Sequence, residues 1–130
     1  MELNEYIDEI RSVLSQLEGI DYAFLFGSVL QRPLPDSDVD ILVGGNLGFD
    51  QKNNLSMRLA LRLKRDVDIV LAKEASHELI LQALSRGKAV VVHDRGALKQ
   101  DYRKNFLLFD QNAGLRAIRL ARVKNRYGHD

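Results

Sequence analysis

Two short acidic stretches set the chemistry open to this chain, "DVDILV" at 38–43 and "DVDIVL" at 66–71. Successive side chains of an extended strand point to opposite faces. Val39, Ile41 and Val43 then share one face, while Asp38 and Asp40 share the other with Leu42. Val67, Ile69 and Leu71 likewise oppose Asp66 and Asp68. If the two strands pair with their apolar faces on one core, the aspartates collect on one patch of the opposite face. Two carboxylates about 4 Å apart repel by roughly 4 kcal/mol at an effective dielectric near 20. Such a patch either raises the pKa of one carboxyl or takes up cations. An i, i+2 pair of hard oxygen donors with a third carboxylate across the strands suits Mg²⁺ or Mn²⁺. A lone D-x-D more often marks only the solvated start of a strand. The second one, on a separate strand, tips the reading toward a metal site.

Ahead of the first pair, the apolar run "YAFLF" ends abruptly at Gly27–Ser28. Glycine adopts backbone angles that other residues avoid and lets the chain approach a ligand closely. Successive N–H groups in such a turn form an anion nest, to which the serine hydroxyl adds a donor. A helix starting there would contribute its N-terminal dipole. Gly-Ser after a strand is by itself only a turn. A short loop before paired carboxylates, it becomes a phosphate cradle beside a metal site.

These residues need a scaffold, and the spacing of apolar positions supplies one. Leu3, Tyr6, Ile7, Ile10, Val13, Leu14 and Leu17 fall on one helical face, with Gly19 placed to end that helix. "IDYAFLFG" and "VDILVGG" read as two buried strands. Residues 50–64 read as a helix opened by Asp50 and striped by Leu55, Leu59 and Leu63. "RDVDIVLA" is a third strand, and Ser76 caps a helix carrying Leu79, Ile80, Ala83 and Leu84 that Gly87 closes. "KAVVVHD" is a fourth strand, followed by a mostly helical tail from about Leu98, with a break expected near Asn112–Gly114. The order α-β-β-α-β-α-β-α predicts one α/β unit, a four-stranded sheet flanked by helices.

Size and composition bound the rest. The chain's 130 residues predict a single domain, 1–130, too small to add a second substrate-binding domain. A hydrophobic share of 45% and a charged share of 28% are those of an ordinary globular protein. No stretch reaches the roughly 20 apolar residues of a membrane span, and "MELNEYIDEI" is too acidic for a signal peptide. The lack of cysteine rules out disulfides and thiolate chemistry and leads us to expect a cytoplasmic protein. A net charge of +1 makes no whole-molecule case for nucleic acid. Basic residues do gather in the tail, at Lys99, Arg103, Lys104, Arg116, Arg119, Arg122, Lys124 and Arg126, a pattern that a solvated helix face also gives. Tyr102, Phe106 and Phe109 in the same tail read as core or interface anchors, and His77 and His93 as structural.

The stretch "FGSVLQRPLPDSDVDILV" at 26–43 resembles the signature of the nucleotidyltransferase superfamily that includes DNA polymerase beta: G-S, a spacer, D-x-D, and a third carboxylate on a later strand. Gly27, Ser28, Asp38 and Asp40 match directly, and "VDIV" at 67–70 selects Asp68 over Asp66. The likeness spans about residues 20–72, and the length is similar to that of the minimal nucleotidyltransferases, many of which act as antitoxins to a HEPN-domain toxin. The resemblance implies a polymerase beta-like fold and transfer of NMP, AMP from ATP, to a hydroxyl such as a toxin tyrosine. It implies that Asp38, Asp40 and Asp68 bind two Mg²⁺ or Mn²⁺ ions and catalyse, while Gly27 and Ser28 hold the nucleotide phosphates. The chain departs from the pattern twice. Nine residues separate Ser28 from Asp38 where ten is commonest, and the arginine frequent soon after the serine is replaced by "VLQ", with Arg32 next.

Those departures support an alternative, a domain of the same fold that neutralises a partner by binding alone. A third reading, nucleic-acid binding through the basic tail, leaves both D-V-D strands unexplained and ranks last. The sequence leaves the oligomeric state, the base preference and any part for Asp66 open.

Overall fold

The computed structural model describes residues 2–31 and 37–110. Helix α1 (Leu3–Leu14) leads into β1 (Ile20–Phe26), a single helical turn α2 (Ser28–Gln31), β2 (Val39–Gly45), α3 (Phe49–Leu63), β3 (Val67–Leu71), α4 (His77–Arg86) and β4 (Lys88–Val92). A further helix, α5, covers 95–110. The strands form one mixed sheet in the order β3-β2-β1-β4. β1 runs antiparallel to both β2 and β4, and β2 runs parallel to β3. A parallel pair needs a long crossover, and α3 provides it.

The sheet is covered on both faces. Val39, Ile41 and Val43 of β2 and Val67, Ile69 and Leu71 of β3 pack with α1 (Tyr6, Ile7, Ile10, Val13, Leu14) and α3 (Leu55, Leu59, Leu63) in the larger core. On the opposite face Tyr22, Phe24 and Leu42 pack with Ile80 and Ala83 of α4. The repeated sequences meet residue for residue, Val39 against Val67, Asp40 against Asp68, Ile41 against Ile69. That register buries both apolar triplets on one side, and a slip by one residue would turn every side chain to the wrong face.

Element ends differ from the sequence reading where local hydrogen bonds compete with periodicity. α1 stops at Leu14, well before Gly19: the Ser15 N–H still bonds the Arg11 carbonyl, but the Gln16 and Leu17 N–H groups bond three residues back, to Val13 and Leu14, and the last turn tightens. α3 opens at Phe49 rather than Asp50, with the Gln51 side chain accepting from the Gly48 N–H at 2.9 Å. Ser76 caps α4 as expected, accepting from Leu79 N–H. Gly87 closes it in an extended conformation rather than a left-handed one; a Cβ there would run into the Ala83 and Leu25 carbonyl oxygens. The last helix begins at 95, where Asp94 accepts from Ala97 N–H, not at Leu98. Tyr102, Phe106 and Phe109 are exposed on it rather than in the core. Lys99, Arg103 and Lys104 are exposed on the same helix. Arg32, Pro33, Pro35, the break at Asn112–Gly114 and the basic residues from Arg116 onward lie outside the described residues. Among the described residues no helix is long and apolar enough to cross a membrane.

Candidate functional site

Asp40 and Asp68 are direct neighbours across the β2–β3 ladder, and on the other side of β2 the residue opposite Asp40 is Phe26, the last of β1. Adjacent strands stand about 4.8 Å apart, so the register alone sets the two carboxylates side by side at one end of the sheet. They lie on the face that carries Leu42, beyond the part that α4 covers. Asp40 is half-buried and Asp68 exposed.

Immediately after Phe26 the chain turns at Gly27, whose φ of +88° is costly for any residue with a Cβ. A Cβ at Gly27 would sit 2.6 Å from Asp40 Oδ2. The glycine thus has two reasons to be there: the backbone bend and the space that the Asp40 carboxylate occupies. Ser28 opens α2 and is exposed, while Val29 turns inward and anchors the turn in the larger core. This one-turn helix is a detail that periodicity could not have revealed, since four residues carry no pattern.

Asp38 lies just before β2 and is exposed. It borders a hollow of about 520 Å³ together with Ser37, Ala60, Leu61, Lys64, Arg65 and Asp66. Asp66 is exposed too, and its carbonyl accepts from Val39 N–H, extending the parallel ladder. Burial raises the pKa of the Asp40 carboxyl above its ordinary value, and the negative charges of Asp68 and Asp38 raise it further. The three predicted carboxylates therefore stand close enough to feel one another. They are neighbours rather than a closed ligand set, because among the described residues no three His, Cys, Asp or Glu side chains are grouped so that they could hold a metal ion as they stand. Their chemistry fits a hard divalent cation: oxygen donors only, carrying a surplus of negative charge that already shows in the proton affinity of Asp40.

One neighbour escaped the sequence reading. Arg65 reaches back from the α3–β3 turn and donates from Nη1 to the Ser37 carbonyl at 3.3 Å, one residue before Asp38. The two are 28 positions apart, and only their shared place beside the aligned strand starts could have suggested the pairing. His77 and His93 stay apart from the site. His93 Nδ1 lies 3.0 Å from the Ile20 carbonyl, and the His77 ring meets Phe109 edge-on.

The family model for the polymerase beta nucleotidyltransferase domain matches residues 8–96. A search of the curated proteins finds no match. Similar solved structures include a complex described as the toxin–antitoxin MntA-HepT, 24% identical with a TM-score of 0.69 over 95% of this chain and 98% of that one. Another is a tri-AMPylated Shewanella oneidensis HEPN toxin in complex with MNT antitoxin, also 24% identical with a TM-score of 0.69, covering 95% and 98%. A third is a toxin–antitoxin structure with AMP-PNP, at 24% identity and a TM-score of 0.69, covering 96% and 98%. At such identities the likeness is one of fold.

Proposed function

Because this chain belongs to the polymerase beta nucleotidyltransferase family, we propose that it transfers AMP from ATP to a tyrosine hydroxyl of a HEPN-domain toxin and so acts as its antitoxin. The observation that carries this reading is the in-register pair Asp40–Asp68 with Gly27 against Asp40. Support for the partner and the donor comes from structures of the same fold, which include a toxin–antitoxin complex with an AMPylated toxin and one with AMP-PNP.

Asp38, Asp40 and Asp68 are the residues that would hold two Mg²⁺ or Mn²⁺ ions. When bound, such ions polarise the acceptor and neutralise charge on the leaving oxygens. The Gly27 N–H and the Ser28 hydroxyl hold the β- and γ-phosphates, leaving the α-phosphorus above the carboxylates. The acceptor oxygen forms a bond to that phosphorus as the bond to the β-phosphate bridging oxygen breaks, and pyrophosphate leaves with the electron pair. The hydroxyl proton passes to Asp68, the exposed carboxylate on the edge strand. The Asp40 carboxylate, packed against Gly27, is the fixed point from which the others are positioned. Catalysis of this kind rests on placement and charge rather than on covalent chemistry by the protein.

Incubation with ATP, Mg²⁺ and the HEPN-domain product of an adjacent gene tests the reading. Mass spectrometry should find the partner heavier by one or more AMP residues. An unmodified partner that is nevertheless bound and silenced would replace catalysis with occlusion.

A further inference from the structure

Arg65 joins three parts of the molecule. Its N–H bonds the Ala60 carbonyl at 3.3 Å and closes α3, next to Lys64 in the left-handed conformation. Its guanidinium carbon lies 5.0 Å from the ring centroid of Tyr6, a buried residue of α1. The same guanidinium donates to the carbonyl of Ser37. Asp38 is the next residue, and its side chain is exposed, outside both cores. A planar guanidinium can stack on an aromatic face and donate in its own plane at the same time, which a lysine ammonium does less well.

We propose that Arg65 is a positioning residue: stacked on Tyr6 and bonded to Ser37, it fixes the peptide before Asp38 so that this carboxylate faces Asp40 and Asp68. It acts through Asp38 and touches neither nucleotide nor acceptor. The inference rests on the functional reading above, since it assigns Asp38 to a cation site. The alternative is a staple that only joins α1 to the α3–β3 turn.

Mn²⁺ titration of the full chain, followed by electron paramagnetic resonance, separates the two. Groups that orient a metal ligand typically contribute about 10–100-fold in metal affinity, and Arg65→Ala should weaken Mn²⁺ binding by that factor. Arg65→Lys keeps a cation near Tyr6; it should melt close to wild type yet regain only part of the affinity. In amide spectra, broadening by Mn²⁺ should fade at Asp38 and persist at Asp68. If Arg65→Ala does not fold, Arg65→Lys carries the test. A folded variant that binds Mn²⁺ as tightly as wild type, with Asp38 equally broadened, overturns the inference and leaves the functional reading standing. A wild-type chain that takes up no Mn²⁺ would instead overturn the metal reading, and the role of Arg65 with it.

Discussion

At one end of the sheet face that carries α4, the Tyr22 hydroxyl donates to the Asp101 carboxylate at 2.8 Å, fastening α5 to the centre of the sheet. Tyr22 is fully buried, and its pKa is driven well above the ordinary tyrosine range by burial first, then by the bond to Asp101 and the charges of Asp101 and Asp21. At the other end of the same face Asp40 and Asp68 stand side by side. Among the described residues no lysine, arginine or hydroxyl pairs with either carboxylate. The first carboxylate is satisfied by the fold and stabilises it. The second group is held by the fold at some cost and left wanting a counter-charge. The acid that the protein pairs serves architecture; under the proposed function, the acids that it crowds and leaves unpaired are there for a ligand.

Substitutions at the two ends should separate function from stability. Asp38→Ala combined with Asp40→Ala should remove Mg²⁺-dependent transfer altogether without lowering the melting temperature, since Asp38 is exposed and the half-buried Asp40 carboxylate is crowded by its neighbours. Radiolabel transfer from ATP beside a calorimetric melt checks both halves. Gly27→Ala comes next. It imposes about 1–2 kcal/mol of left-handed strain and pushes the Asp40 carboxylate aside, and a displacement near 1 Å can cost about 10²-fold in rate. Steady-state kinetics and a urea melt should show both losses together.

The opposite end should respond in the opposite way. Tyr22→Phe removes a bond to a charged group and should lower stability by about 1.5–3 kcal/mol without changing the transfer rate. Denaturant unfolding and the same transfer assay read the two quantities. The smallest effect concerns pH. A carboxyl whose pKa is higher in the folded state opposes folding once it ionises, so Asp40 weakens the fold at neutral pH and ceases to do so in acid. Asp40→Asn should therefore raise the melting temperature slightly at pH 7, the gain disappearing as pH falls through the titration range of Asp40. A gain that grew in acid would contradict the crowding.

How much of this was legible beforehand follows from the range of each interaction. The strands were readable because hydrophobic alternation is local, and β2 at Val39–Gly45 fell where "VDILVGG" placed it. The carboxylate cluster was readable because the two D-V-D segments are near copies, so burying both apolar triplets on one core forces Asp40 beside Asp68. The Gly27–Ser28 turn showed itself as an abrupt end to an apolar run, although the contact between Gly27 and Asp40 needed coordinates. Two pairings had no local trace, Tyr22 with Asp101 across 79 positions and Arg65 with Ser37 across 28. Both depend on how helices settle against the sheet, which periodicity does not encode. The early end of α1 has a different reason: Gln16 and Leu17 bond three residues back rather than four, so the apolar pattern runs on to Leu17 through a tightened turn that is no longer α-helix.

The most direct test of the central claim is anomalous diffraction at the manganese edge from crystals grown with Mn²⁺ and a non-hydrolysable ATP analogue. Manganese peaks should appear within coordination distance of Asp38, Asp40 and Asp68, with the analogue's phosphates against Gly27 and Ser28. Manganese bound elsewhere, or Asp68 turned away from ions that the other two hold, would contradict that claim.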